Sequence, residues 1–110
     1  MDGMNAALAE VDQFAGLSLS VVIPAYNEEA AVRHTVEDVR ASLDPLGIDY
    51  EIIVVDDGSR DNTRAEAIAS GAIVDWNDEN SGYGATLKRG VRRAKYEYIA
   101  ILDADGTYPA

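Results

Sequence analysis

The chain has 110 residues with nine basic and twenty acidic side chains, which gives a formal net charge of −11. The length predicts one domain, and the apolar share of 47% excludes general disorder. The acidity argues against nucleic-acid binding, which needs a basic face. The absence of cysteine excludes disulfides, zinc–thiolate sites and thiol catalysis. No apolar run approaches the roughly 20 residues of a membrane span.

Residues 1–17 carry apolar side chains at roughly helical spacing, which predicts an N-terminal extension that forms a loosely docked helix. Four strands are predicted after it from short β-branched or aromatic runs. They cover residues 19–23, 50–55, 72–74 and 98–102. The third strand is the shortest, and we expect it to lie near an edge of the sheet.

Three helices are predicted between these strands. The first begins after Asn27, which is expected to cap it, and it has an apolar stripe. The stripe consists of Val32, Val36, Val39 and Leu43. The second helix covers residues 62–70, with Asp61 as its cap and Gly71 after its end. The third covers residues 82–95, and its buried face is predicted to carry Tyr83, Leu87, Val91 and Ala94.

This alternation of strands and helices predicts a Rossmann-like α/β fold, in which about four mostly parallel strands are flanked by helices. Ligands of such sheets bind beyond the carboxyl ends of the strands. Three of the predicted strands end in polar clusters, at residues 24–28, 56–59 and 103–105. We therefore expect these clusters to converge on one edge of the sheet and to form a site.

Asp103 and Asp105 flank the small residue Ala104 directly after the fourth predicted strand. Two carboxylates at this spacing offer hard oxygen ligands to a divalent cation, and such a cation can bind a diphosphate. The alternative is a solvated turn, because aspartate is common after strands. The position beside two other polar strand ends favours the metal site.

Asp56 and Asp57 open a turn that continues through residues 58–59. One carboxylate can hold the backbone N–H groups of this turn while the other accepts hydrogen bonds from a base or ribose. Alternatively, both carboxylates shape the turn. Tyr26 can lay its ring against a nucleobase, and Glu28 can reach a ribose or base donor. In the competing interpretation, Tyr26 is a packing residue and Glu28 interacts only with the helix dipole.

Five of the nine basic residues lie within positions 88–95, namely Lys88, Arg89, Arg92, Arg93 and Lys95. We interpret them as the solvated outer face of the third helix, with Lys88 or Arg89 available for a phosphate contact. The single tryptophan, Trp76, follows the third predicted strand and is interpreted as a local packing residue.

Four segments of the sequence together point to a known family, at residues 21–29, 51–63, 82–85 and 101–109. Through them the chain resembles the family 2 glycosyltransferases with the GT-A fold. The type it resembles most is the polyprenyl-phosphate (dolichyl-phosphate) mannose or glucose synthase. The resemblance covers residues 18–110, which would form the nucleotide-sugar-binding half of a GT-A domain.

The resemblance implies a nucleoside pocket made of Pro24, Tyr26, Glu28, Val55 and Asp57. It also implies a metal–diphosphate motif made of Asp103, Ala104 and Asp105, in which the two aspartates hold Mg²⁺ or Mn²⁺. The implied substrate is a nucleoside diphosphate sugar of the GDP or UDP type, and the implied acceptor in an intact enzyme is a lipid phosphate. The expected compartment is the cytoplasm, with attachment to a membrane through the acceptor or through further segments.

Members of this type continue past the position of Ala110 and supply the acceptor side and the catalytic base there. We therefore expect this chain to be the donor-binding half, and no catalytic residue is assigned to it. The alternative is a non-catalytic module that binds nucleotide weakly or self-associates, forming a homodimer through an exposed edge strand at residues 98–102. A dinucleotide oxidoreductase is disfavoured, because the first strand–helix turn lacks the Gly-x-Gly-x-x-Gly pattern.

Overall fold

The computed structural model describes residues 16–104, in which strands and helices alternate along the chain. The helix predicted in the N-terminal extension falls outside this range, as does Asp105. A short 3-10 turn, Asp44–Leu46, follows the first helix. In chain order the elements are β1 (Ser18–Ala25), α1 (Val32–Leu43), β2 (Asp49–Asp57), α2 (Thr63–Ala69), β3 (Ile73–Asn77), α3 (Tyr83–Arg93) and β4 (Tyr98–Ile101).

The four strands form one parallel sheet in the order β3-β2-β1-β4. β1 and β2 are paired from Ser18 opposite Asp49 to Ala25 opposite Asp56, so both strands end at the same edge. The predicted α/β fold with a parallel sheet is confirmed. The third strand lies at an edge as expected, and β4 forms the other edge of the described sheet.

Both faces of the sheet are covered, because alternate strand residues point to opposite sides. On one side, the valines of α1 and Ala67 of α2 pack against β1 and β2, which confirms the apolar stripe predicted for the first helix. On the other side, α3 lies over Val22, Ile53 and Val55. None of the described helices has the length and apolar character required to cross a membrane.

The prediction that Asn27 caps the first helix is wrong. α1 begins only at Val32, and the residue at its N-cap position, Ala31, makes no side-chain capping bond. Asn27 instead adopts a left-handed backbone conformation with φ of 52°, and its Oδ1 accepts a hydrogen bond from the backbone N–H of Arg60 at 2.9 Å. The side chain of Asn27 therefore binds the distant β2–α2 loop instead of the N-terminus of α1.

The buried face predicted for the third helix is also partly wrong. Thr86 and Gly90 are the buried residues of α3, whereas Tyr83 is 57% exposed and Val91 is 45% exposed. A Cβ atom on Gly90 would lie 2.4 Å from Cγ1 of Val22, so the helix backbone approaches the sheet too closely for a side chain at this position. Gly90, rather than the apolar side chains of α3, therefore determines which face of the helix packs on the sheet.

The start of β4 is tied to the strands beside it through a buried serine. The Ser20 hydroxyl donates to Glu51 Oε2 at 2.6 Å and accepts from the backbone N–H of Tyr96 at 3.1 Å. The same glutamate oxygen accepts from the backbone N–H of Lys95 at 2.8 Å. These bonds satisfy the polar groups of the α3–β4 connection and fix where β4 enters the sheet.

Candidate functional site

A cleft of about 490 Å³ lies at the carboxyl ends of the strands. It is lined by Pro24, Ala25, Tyr26, Glu28, Asp57, Asn80, Gly82, Tyr83, Thr86, Asp103 and Ala104. Six of the eight site residues predicted from the sequence line this one cleft, namely Pro24, Tyr26, Glu28, Asp57, Asp103 and Ala104. The three polar clusters at the strand ends therefore converge as the rule for open parallel sheets requires.

The other two predicted site residues have different positions. Val55 is fully buried in the core cluster under α3, where its side chain packs with Val22 and Ile53. It is not among the described residues that line the cleft, and its contact with a nucleoside stays a prediction. Asp105 lies outside the described residues, so the paired-carboxylate arrangement also stays a prediction.

Five hydrogen bonds fix the loop between β1 and α1 to residues 59–63, and three of them involve Asn27 or Glu28. The backbone N–H of Asn27 donates to Ser59 Oγ at 2.9 Å, and that of Glu28 donates to Thr63 Oγ1 at 2.8 Å. The third bond, to Asn27 Oδ1, comes from the backbone of Arg60. Together they place the exposed ring of Tyr26 and the half-buried Glu28 at the wall of the cleft.

Asp57 is buried and acts as the anchor of the segment that leads into α3. Its Oδ1 accepts from Asn77 Nδ2 at 2.9 Å and from the backbone N–H of Ser81 at 2.7 Å. Its Oδ2 accepts from the backbone N–H of Gly82 at 3.1 Å and from Asn80 Nδ2 at 3.2 Å. Four donors thus converge on one carboxylate, which holds the far wall of the cleft against the end of β2.

These donors set the charge state of Asp57. Burial alone would raise its pKa, but the hydrogen bonds from the backbone of Ser81, the side chain of Asn77 and the backbone of Gly82 together hold the pKa below its ordinary value. The carboxylate is therefore ionised at neutral pH and carries its negative charge beside the N-terminus of α3, where the helix dipole favours it.

Asp56 performs the turn-shaping role that the sequence suggested for one of the two aspartates. It is fully buried, its Oδ1 accepts from the backbone N–H of Ser59 at 3.2 Å, and its Oδ2 pairs with Arg64 Nε at 3.2 Å. Gly58 allows the turn to pack closely, because a Cβ there would lie 2.5 Å from the backbone carbon of Glu79. Its φ of 70° is also a conformation that suits glycine.

Asp103 lies at the exposed end of the fourth strand segment. The backbone N–H of the preceding residue, Leu102, donates to the carbonyl oxygen of Val22 at 3.0 Å, which fixes the chain beside β1. The hydroxyl of Tyr83 lies 3.4 Å from Asp103 Oδ1. The pKa of Tyr83 is raised, mainly by burial and in addition by the negative charge of this carboxylate. The Asp103 carboxylate thus faces the cleft from the side opposite Asp57.

The donor set of the cleft suits a hard cation only in part. Within residues 16–104, no three acidic or histidine side chains are placed to hold one metal ion. Asp103 offers one exposed carboxylate, so a cation here would complete its coordination from a diphosphate, water and residues such as Asp105.

The basic residues of α3 line a second cleft, of about 510 Å³, between this helix and the edge strand β3. Lys88, Arg92 and Arg93 are exposed there, as expected for a solvated face. Arg89 instead donates through Nε to Asn77 Oδ1 at 2.7 Å and lies 3.4 Å from Asp75 Oδ1. It therefore orients the amide that binds Asp57.

Sequence reasoning missed several residues that line or support the cleft, among them Asn77, Asn80 and Tyr83. The two asparagines come at and just after the end of β3, so the strand-end rule could have included them. Tyr83 was assigned to a buried helix face. Its position between Gly82 and Gly84 at the helix start was the available signal that it lies at the cleft instead.

Comparison with known proteins places the chain in a family. Residues 20–110 match the sequence profile described as Glycosyl transferase family 2. The chain belongs to the glycosyltransferase family 2.

Two curated relatives illustrate this membership. The chain is 40% identical over 101 residues to a low-salt glycan biosynthesis hexosyltransferase of Haloferax volcanii, a match covering 92% of this chain and 24% of the relative. It is 38% identical over 94 residues to an undecaprenyl-phosphate 4-deoxy-4-formamido-L-arabinose transferase of Aeromonas hydrophila, covering 79% and 28%. The chain thus spans about a quarter of the length of these relatives.

A solved structure shows the same fold. Glucosyl-3-phosphoglycerate synthase from Mycobacterium tuberculosis, in complex with Mn²⁺, UDP and phosphoglyceric acid, matches with a TM-score of 0.73 and 33% identity. The match covers 88% of this chain and 36% of the synthase. That synthase has also been solved with Mg²⁺ and UDP. The likeness confirms the predicted GT-A type of α/β fold.

Proposed function

We propose that the cleft binds the nucleoside diphosphate of a sugar donor, and that the chain is the donor-binding part of a sugar transferase. The convergence of Tyr26, Glu28 and Asp103 on one cleft at the carboxyl ends of the strands carries this proposal. The solved relative with UDP and Mn²⁺ favours UDP as the first nucleotide to test, with GDP as the second.

The proposed roles follow from the positions of the side chains. The exposed ring of Tyr26 provides a flat surface for a nucleobase, and Glu28 lies beside it to meet ribose or base donors. The acceptor positions of Asp57 are used by the segment before α3, so we assign this residue to holding the pocket in shape. Pro24 and Ala104 form the apolar parts of the wall, and Val55 supports it from the core.

The proposed metal ligands are Asp103 and Asp105, with Mg²⁺ or Mn²⁺ as the cation. Such a cation would neutralise the diphosphate and favour its departure as the leaving group. The proposed acceptor in a whole enzyme is a lipid phosphate, by analogy with the undecaprenyl-phosphate transferase. The proposed compartment is the cytoplasm, with membrane attachment through such an acceptor.

We expect calorimetric titration with UDP to give metal-dependent heat, and Asp103→Asn to weaken UDP binding in Mn²⁺ by about tenfold or more while leaving metal-free binding unchanged. Of the two proposed metal ligands, Asp103 is the one that lies within the described residues, and the substitution removes the charge with which it would bind the cation. Asp49→Asn is the matched control, because Asp49 lies at the opposite end of β2. The proposal fails if neither UDP nor GDP gives metal-dependent heat with the unaltered chain.

A second candidate function is self-association through β4. This strand is an edge of the described sheet, and Tyr98 is 58% exposed and Ile101 is 45% exposed. A neighbouring groove of about 430 Å³ is lined largely by apolar residues, including Leu19, Val39 and Leu102. Unpaired strand edges with apolar side chains are templates for pairing with another chain.

For this candidate we expect a dimer mass by light scattering at high protein concentration, and a shift to monomer on Ile101→Lys. A lysine on the edge opposes pairing because its charge would be buried. Ile68→Lys is the matched control, since Ile68 is an even more exposed isoleucine on α2, away from the edge. A monomeric mass for the unaltered chain at every concentration would exclude this candidate.

A further inference from the structure

Arg64 on α2 bridges two side chains of neighbouring strands. Its Nε donates to Asp56 Oδ2 at 3.2 Å, and its guanidinium carbon lies 4.6 Å from the centroid of the Trp76 ring. Asp56 on β2 and Trp76 on β3 are register partners, so they project from adjacent positions on the same side of the sheet. A guanidinium can pair with a carboxylate and stack on an aromatic face at the same time.

Asp56 requires this partner because it is fully buried. A buried carboxylate without a counter-charge is strongly unfavourable. Among residues 16–104, Arg64 is the cation within ion-pair distance of Asp56. The aromatic ring of Trp76 restricts where the guanidinium can lie, so it helps to hold the pair in one geometry.

The pair is connected to the wall of the cleft through two hydrogen bonds. The second carboxylate oxygen of Asp56 accepts from the backbone N–H of Ser59 at 3.2 Å. The hydroxyl of Ser59 accepts from the backbone N–H of Asn27 at 2.9 Å. Asn27 directly follows Tyr26 and precedes Glu28, the two residues proposed to meet the nucleoside.

We propose that Arg64 is a positioning residue for the nucleotide cleft. By neutralising Asp56, it fixes the Ser59 turn and, through Ser59, the loop that carries Tyr26 and Glu28. Trp76 then reports the state of this connection, because it is the single tryptophan of the chain and contacts the guanidinium directly. The role in nucleotide binding rests on the proposed function, whereas the effect on the loop does not.

The test compares Arg64→Gln with Arg33→Gln as a charge-matched control. Arg33 pairs with Glu66 on the surface at 3.2 Å and does not contact Asp56. We expect Arg64→Gln to weaken UDP binding in Mn²⁺ by about tenfold, to change Trp76 emission, and to speed hydrogen exchange at the amides of Ser59 and Asn27. Arg33→Gln should leave all three readouts unchanged.

The double variant Asp56→Asn/Arg64→Gln separates positioning from general destabilisation. An asparagine keeps an oxygen that can accept from Ser59 but carries no charge that needs Arg64. We expect it to recover most of the UDP affinity and the slow exchange, while Trp76 emission stays changed because the stacked guanidinium is still absent. Arg64→Lys, which keeps the charge without the planar group, should retain UDP affinity and change the emission.

The outcomes decide between the alternatives. Unchanged UDP affinity and exchange in Arg64→Gln would overturn the proposal, as would a double variant that recovers neither. If the unaltered chain binds no UDP, the proposed function fails and the exchange rates of Ser59 and Asn27 alone decide this inference. If Arg64→Gln does not fold, a folded double variant supports the neutralising role, and unchanged Trp76 emission in Arg64→Lys overturns the contact.

Discussion

Replacement of Gly90 by alanine is expected to destabilise the fold by about 1–3 kcal/mol, the range typical of an overpacked core. The added Cβ would lie 2.4 Å from Cγ1 of Val22 and 3.2 Å from Cγ2 of Val55. Both neighbours are β-branched and stiff, so neither can rotate its methyl groups away cheaply. The helix would have to move off the sheet, which would disturb Thr86 and the segment before it.

The opposite sign is expected for Gly84→Ala on the same helix. A Cβ at Gly84 has no atom within 4 Å, so this exposed position should show only the better helix propensity of alanine, worth up to about 1 kcal/mol. Urea denaturation of the two variants measures both effects with one method. Equal stabilities for the two variants would contradict the close approach of α3 to the sheet.

Asp57→Ala is expected to cost about 3–5 kcal/mol, because it leaves several buried donors without an acceptor. The side chain of Asn77 and the backbone N–H groups of Ser81 and Gly82 would all lose the carboxylate that they share. The loss should also release the wall of the cleft and weaken UDP binding. Asp49→Asn, an exposed change at the other end of the same strand, should alter the unfolding free energy by less than about 0.5 kcal/mol.

The contribution of Asp57 should depend on pH in a defined direction. Its pKa in the folded chain lies below the ordinary value of 3.8, so its stabilising effect is complete above that value. The effect is lost as the pH falls from 3.8 through the lowered pKa, because the unfolded chain takes up the proton first. The free-energy difference between the unaltered chain and Asp57→Ala, measured against pH, should therefore shrink in acid. A difference that stays constant below pH 3.8 would contradict the ionised anchor.

Most of the fold could be predicted because its signals are local. β1 and β2 each contain a continuous β-branched run, and the stripe of valines on α1 marks the face that packs on them. The errors arose where distant residues decide the outcome. Asn27 has the side chain of a helix cap, but the β2–α2 loop uses it. Gly90 has no side chain to mark it as a contact residue, yet it sets the face that α3 presents to the sheet.

The candidate site was predictable to the level of which segments meet. The rule that ligands bind beyond strand ends brought together Tyr26, Asp57 and Asp103 without knowledge of their contacts. The sequence could not show that Asp57 accepts hydrogen bonds from the segment before α3, since the donors on Asn80 and Ser81 lie more than twenty residues away. It also could not distinguish Asp56 from its neighbour, because their roles are separated by long-range contacts such as the ion pair of Asp56 with Arg64.

The hydroxyl of Ser20 has a consequence for the order in which the molecule assembles. It donates to Glu51, 31 residues away, and accepts from Tyr96, 76 residues away. Closing a longer loop costs more entropy and is slower, so we expect β1 to pair with β2 before β4 reaches its other side. Asp103 arrives with β4. We therefore expect the wall of the cleft that carries Tyr26 and Glu28 to form early, and the wall that carries Asp103 to form as one of the last steps of folding.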